Sequence, residues 1–296
     1  MRLLIAGMLL TVPFSPSRPA DPAIVVRAED GYLVDQAGHR LDRSDVGRRL
    51  HIENTEDVRG LDLKLAAIEI ISARGQSLTA FQLEEFSPER GFPGANVCKA
   101  RSDNGSTWLI PMAGRWSVEG KLNRTANGGT LACASGALGK CAGWGFPPWE
   151  NEDVFSACVR MVRADYCGDG RSHTRAGVLI SFKYRAKYPA QATIEDHRFE
   201  AFWGADGAHC VETTRVPQLF TVDDLLNQCP DRSIGKVSLR SCQSVNSSDA
   251  IFTNYLAALI KLPNSYGQPE GGLADFVRRS STSEGGRRNP PPWLSR

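Results

Sequence analysis

The densest set of reactive side chains lies in Arg160-Met-Val-Arg-Ala-Asp-Tyr-Cys-Gly-Asp-Gly-Arg-Ser-His-Thr174. It holds two acids, Asp165 and Asp169, one thiol, Cys167, and one imidazole, His173. A cysteine nucleophile needs a base within hydrogen-bond reach; His173, His197 and His209 are the candidates, with Asp169 or Asp165 to orient one of them. Two acids with nearby carbonyls are also a start toward a calcium site, which takes several oxygen ligands. The third reading is architectural and is preferred. Cys167 enters a disulfide, Asp169-Gly170 makes a turn, and Asp165 pairs with an arginine or caps backbone amides. That reading assigns no catalytic residue, no cofactor and no metal.

Other chemistry is absent or incomplete. There is no G-x-S-x-G elbow and no H-E-x-x-H helix. Ala134-Ser-Gly-Ala-Leu-Gly-Lys-Cys141 approaches a phosphate loop. It has Ala134 where the first glycine belongs and Cys141 where the magnesium-binding hydroxyl belongs, so it reads as a cysteine-bearing turn or helix. Gly143-Trp-Gly-Phe-Pro-Pro-Trp149 has the aromatics to stack on a sugar, but two tryptophans beside prolines more often plug a small core.

Eight cysteines punctuate the chain: Cys98, Cys133, Cys141, Cys158, Cys167, Cys210, Cys229 and Cys242. No pair has the close C-x2-C spacing of structural zinc sites. An even number behind an apolar leader fits disulfides formed in an oxidising compartment. The leader is Met1-Arg2, an apolar run Leu3 to Val12, then Pro13, Phe14, Ser15, Pro16 and Ser17. That is the pattern of a signal peptide, with cleavage expected after Ser17, and the run is too short to span a bilayer.

The elements that must position these residues follow from periodicity. Residues 28 to about 130 read as β-rich: Leu61-Asp-Leu-Lys-Leu65, Ile68-Glu-Ile70 and Phe81-Gln-Leu83 alternate apolar and polar. Trp108-Leu-Ile110 and Trp116-Ser-Val118 are further short strands, their tryptophans assigned to the core. Phe155 to Tyr166 has helical spacing, with Gly168 as its expected C-terminal stop. In a helix, Cys158 and Cys167 lie about 13 Å apart, nine steps of roughly 1.5 Å. A disulfide tolerates at most about 7 Å between Cα atoms, so a continuous helix sends these two to other partners, and a bend between them would reverse that conclusion. Cys133 and Cys141 face the same argument if residues 131–140 form one helix. Thr221-Val-Asp-Asp224 is a helix start. Ile251, Phe252, Tyr255, Leu256, Leu259 and Ile260 predict a further helix within 246–262, ended by Pro263. Beyond it, five arginines against Glu284 give the last 19 residues a net +4 and predict a disordered basic tail, 263–296.

The expectation is an α+β protein: a β-rich first part, then a disulfide-stapled region with short helices over 131–245. Of 296 residues, 41% are apolar and 23% charged, with 35 Lys and Arg against 33 Asp and Glu. This excludes a disordered chain and a multi-pass membrane protein. A net charge of +2 gives no support for nucleic acid as the partner.

Ala157-Cys-Val-Arg-Met-Val-Arg-Ala-Asp-Tyr-Cys-Gly-Asp-Gly170 with Ser172-His-Thr174 resembles the signature of the ADYC domain family, whose name is spelled here by Ala164, Asp165, Tyr166 and Cys167. Thr130 to Ala137, Lys140-Cys141, Trp144-Gly145 and Pro148-Trp149 are similar to its upstream pattern. Phe199-Glu-Ala201, Trp203-Gly204, Asp206-Gly-Ala208, Cys210, Thr214-Arg-Val-Pro217 and Cys229-Pro230 are similar to its downstream one. Ala113-Gly-Arg-Trp116 suggests that the β region belongs too. The resemblance implies an exported bacterial protein and carries over no activity, substrate or catalytic residue. The expectation is a non-enzymatic envelope or extracellular binding module. The alternative is a secreted hydrolase using Cys167 or Asp165, Asp169 and His173.

Overall fold

The structure, a computed structural model, describes residues 22–52, 61–86, 93–98, 107–123, 128–175, 177–184, 197–229, 242 and 250–257. The expected leader at 1–17 and the basic tail at 263–296 lie outside the described residues.

The N-terminal half is a strongly bent eight-stranded sheet. Its strands are β1 (Ile24–Glu29), β2 (Tyr32–Asp35), β3 (Arg49–Ile52), β4 (Leu61–Ala73), β5 (Gln76–Phe86), β6 (Pro93–Asn96), β7 (Leu109–Ala113) and β10 (Gly129–Cys133). The order is β10-β7-β5-β4-β3-β1-β2, with β6 on the free part of β5. Among the described residues of this sheet, only the β1–β3 pair is parallel. The sheet curls until its ends meet: the Gly31 N–H after β1 donates to the Pro111 carbonyl on β7 at 3.0 Å, and the Ala113 N–H donates to the Asp30 carboxylate at 3.2 Å. The inward row of each strand, Val26, Leu33, Leu50, Leu63, Leu65, Phe81, Leu83 and Leu109 among them, fills the interior.

The long β4–β5 hairpin links this core to a second one. Leu65 and Leu83 belong to the curled sheet, whereas Leu78, near the tip, packs in the second core. Arg74 and Gly75 make the two-residue turn between Ala73 and Gln76, both at positive φ (52° and 81°), the backbone geometry that matches strand twist in tight hairpins.

The second core is built around α2 (Glu152–Arg163). Asn151 caps it, its Oδ1 accepting from Val154 N–H at 3.0 Å. Phe155, Cys158, Val159 and Met161 are fully buried, and Arg160 is buried with them at 2% exposure. On one side lie α1 (Ala137–Gly143) and the small hairpin of β8 (Arg115–Trp116) and β9 (Leu122–Asn123). That hairpin packs so closely that a Cβ at Gly120 (φ 77°) would stand 2.9 Å from Val159. On the other side is a four-stranded antiparallel sheet in the order β11-β14-β12-β13: β11 (Ile180–Tyr184), β14 (Phe252–Ala257), β12 (His197–Gly204) and β13 (Gly207–Val211). The short helix α3 (Val222–Gln228) begins in the expected place, Thr221 and Asp224 capping each other's amides reciprocally.

The fold class is α+β, β-rich at the N-terminus. Three local expectations are corrected. Residues 252–257, expected to be helical, form β14. This strand sits between β11 and β12 and is buried on both faces, Thr253 and Asn254 included, so the helical spacing of its apolar residues does not mark a single covered face. Residues 131–140 are not one helix but the end of β10, a turn and the start of α1. Finally, α2 stops at Ala164, not at Gly168.

Candidate functional site

A helix leaves its last four carbonyls without intrahelical partners. At the end of α2 the signature residues and two distant segments supply them. Ala164 adopts the left-handed conformation (φ 52°, ψ 44°) and is fully buried. The chain thus folds back, and Asp165 N–H donates to the Arg160 carbonyl at 2.9 Å. The Met161 and Val162 carbonyls accept from the Arg215 guanidinium at 2.7 and 2.8 Å. The Arg163 carbonyl accepts from the Ser172 hydroxyl at 2.9 Å and from His173 N–H at 3.1 Å. The Ala164 carbonyl lies 3.0 Å from His173 Nδ1. A carbonyl only accepts, so Nδ1 carries the proton.

Two buried ion pairs hold this terminus. Asp165 bonds Arg160 and also accepts from the amides of Asp169 (3.1 Å) and Gly170 (3.0 Å), while Arg160 Nε donates to the Ala205 carbonyl at 2.6 Å. Glu200, on β12, bonds Arg215 at 3.0 Å. Its other oxygen accepts from the Tyr166 hydroxyl at 2.7 Å, and Asn254 Nδ2 donates to Glu200 at 2.5 Å. Arg215 N–H donates in turn to the Tyr166 oxygen, and Trp203 Nε1 donates to Asn254. The Tyr166 ring stacks on Trp203 at 5.2 Å. Burial, reinforced by the Glu200 charge and opposed by Arg215, pushes the Tyr166 phenol well above its ordinary range. It remains a protonated donor.

Asp165, Cys167, Asp169 and His173 each engage another group. The Asp165 carboxylate is saturated by a guanidinium and two amides, which are donors and not the oxygen ligands a calcium ion would share. Cys167 is bonded to Cys229. Asp169 faces outward in an ion pair with Arg171; burial opposes its charge, but hydrogen bonds from Arg171 and the attraction of that guanidinium outweigh burial and lower its pKa. The His173 ring packs edge-on against Phe220 at 4.5 Å. His209 lies 3.4 Å from Asp206, and His197 opens β12. Among the described residues no group of three His, Cys, Asp or Glu side chains is placed to hold a metal ion.

All eight cysteines are paired: Cys98–Cys133, Cys141–Cys158, Cys167–Cys229 and Cys210–Cys242. Cys158 and Cys167 each bond elsewhere, although α2 ends at Arg163 and the continuous helix assumed between them is not present. Sequence reasoning missed Glu200, Arg215 and Asn254. The available signal was a lone acid inside the aromatic strand Phe199-Glu-Ala-Phe-Trp203 and a lone arginine in Thr213-Thr-Arg-Val216. Isolated charges in otherwise apolar runs are rarely buried without a partner.

Among the described residues no helix is long and apolar enough to cross a membrane. No curated protein and no solved structure matches the chain. The family model of the ADYC domain matches residues 44–217, more than half of the chain, from the turn before β3 through the signature to just past Arg215. The network that closes α2 therefore lies inside the matched stretch, except for Asn254, and the chain belongs to the ADYC domain family.

Proposed function

We propose that this protein is exported and works outside the cytoplasm as a non-enzymatic binding or interaction module, its signature segment serving as the structural node that joins α2 to the C-terminal sheet. One observation carries the reading. The Asp165 carboxylate and the Tyr166 hydroxyl are turned onto backbone and buried partners, His173 Nδ1 is turned onto the Ala164 carbonyl, and the Cys167 sulfur is engaged with Cys229, so neither the thiol nor the Asp165 acid of the hydrolase alternative is free. A nucleophile or general base needs a free atom facing substrate.

The leader 1–17 and the four disulfides support export, since disulfides persist in oxidising compartments. The test is expression with the native leader, followed by fractionation and N-terminal sequencing. The reading expects a mature chain beginning after Ser17 in the periplasm or medium, unreactive toward alkylating reagents. A full-length cytoplasmic protein with reduced thiols overturns it.

A further inference from the structure

The β4–β5 hairpin tip and the segment between α1 and α2 line a half-open cavity of about 260 Å3 beside the start of α2, with Arg74, Gln76, Phe146, Glu150, Asn151 and Tyr184 among its walls. This is room for several waters or one small organic molecule.

Two features make the cavity a built site. Arg74 stands in the two-residue turn of the hairpin. Its guanidinium lies over two rings at once, 4.9 Å from the centroids of both Phe146 and Tyr184. Stacking fixes the plane of the group and leaves its edge donors free for a planar acceptor. Gly145 makes room for it: a Cβ there would stand 2.9 Å from Arg74 Cγ.

The charges facing the cavity are complementary but unjoined. Arg74 and Glu150 line the same space, yet they form no ion pair with each other, and no described residue offers either an opposite charge. The Gln76 Oε1 is buried and accepts no hydrogen bond. A buried acceptor without a donor is costly, and a bound N–H would relieve it. The remaining walls, Phe146, Pro147 and Val154, are apolar.

We propose that this cavity binds a free α-amino acid with an apolar side chain. Its carboxylate meets Arg74, its ammonium meets Glu150 and Gln76 Oε1, and its side chain lies against Phe146, Pro147 and Val154. The proposal rests on the binding-module reading and gives it a ligand class.

The test is calorimetric titration of the oxidised protein with leucine, leucinamide, N-acetyl-leucine and the dipeptide Ala-Leu, with melting curves for every variant. The expected result is saturable binding of leucine, about tenfold or more weaker for each analogue lacking one charge. Glu150→Gln and Arg74→Lys should weaken leucine by a similar factor, and Glu150→Gln should do so at an unchanged melting temperature, since Glu150 is exposed. Tighter binding of Ala-Leu than of leucine overturns the free amino acid as ligand. No saturable binding by a folded, fully oxidised protein overturns the site and leaves the binding-module reading standing. Leucine bound with the expected variant pattern but consumed on incubation keeps the site and overturns that reading.

Discussion

Arg160 and Asp165 stand on either side of the residue where α2 reverses, and they form an ion pair with side chains only 3% and 0% exposed. Desolvation makes such a pair expensive to assemble, and removing one partner leaves the other charge buried alone, at a cost of about 3–5 kcal/mol. The pair therefore specifies how the chain leaves the helix: Asp165 binds the preceding turn through Arg160 and the following turn through the Asp169 and Gly170 amides.

Asp165→Asn keeps the shape and removes the charge. It should lower unfolding stability by about 3 kcal/mol in chemical denaturation, and calcium or a chelator should change neither protein's melting curve. An unaltered denaturation midpoint, or a calcium-induced shift that only the wild type shows, contradicts the architectural role.

Ala164 is a fully buried alanine in a left-handed conformation. Ala164→Val should destabilise by more than about 2 kcal/mol, because a β-branched residue is strained there and the added methyls have no room. A shift below about 0.5 kcal/mol would show that the turn relaxes freely.

The pH profile has two limbs. Asp42, Asp169, Asp224 and Glu119 have folded pKa values below their ordinary ones, mainly through hydrogen bonds that outweigh burial. Their stabilisation is present above the ordinary carboxylate range and is lost as pH falls through the lowered values. Tyr166 behaves oppositely. Its folded pKa is raised, so its contribution is complete below about pH 10 and declines above it, where the unfolded chain ionises first. Wild type should lose stability steeply above pH 10, and Tyr166→Phe, though less stable at neutrality, should lose less. Parallel curves from pH 9 to 11 would dissociate Tyr166 from the alkaline limb.

Disulfide loops of 17 and 62 residues, closed by Cys141–Cys158 and Cys167–Cys229, are worth about 3 and 4 kcal/mol on the chain-entropy account. Thiol titration under denaturing conditions should read zero. The double variant Cys167→Ala, Cys229→Ala should lose more stability than Cys141→Ala, Cys158→Ala; the reverse order would mean that native strain, not loop length, decides.

The features legible from residues alone were local. Thr221 and Asp224 cap α3 because their groups lie three residues apart and need no third segment. The alternation at Leu63-Lys-Leu65 and Phe81-Gln-Leu83 survives because those rows face a core, whereas beyond the bulge between Leu65 and Ala67 it is Ile71 that is buried and Ile70 that is exposed. The helical character of α2 was readable from its spacing. What tertiary structure decided had partners far apart in the chain. The segment around Phe252–Ala257 carries helical spacing, yet it is a strand because β11 and β12 supply hydrogen bonds on both sides, and burial on both faces erases the period that marks an amphipathic element. Ala164 ends α2 four residues before Gly168 because Arg215, 54 positions beyond Met161, supplies the donors that its last carbonyls need. Glu200 reads as an ordinary strand acid until Arg215, Tyr166 and Asn254 close around it. A short-range pattern carries its own partners, whereas a buried charge is explained only once folding has brought its counter-charge alongside.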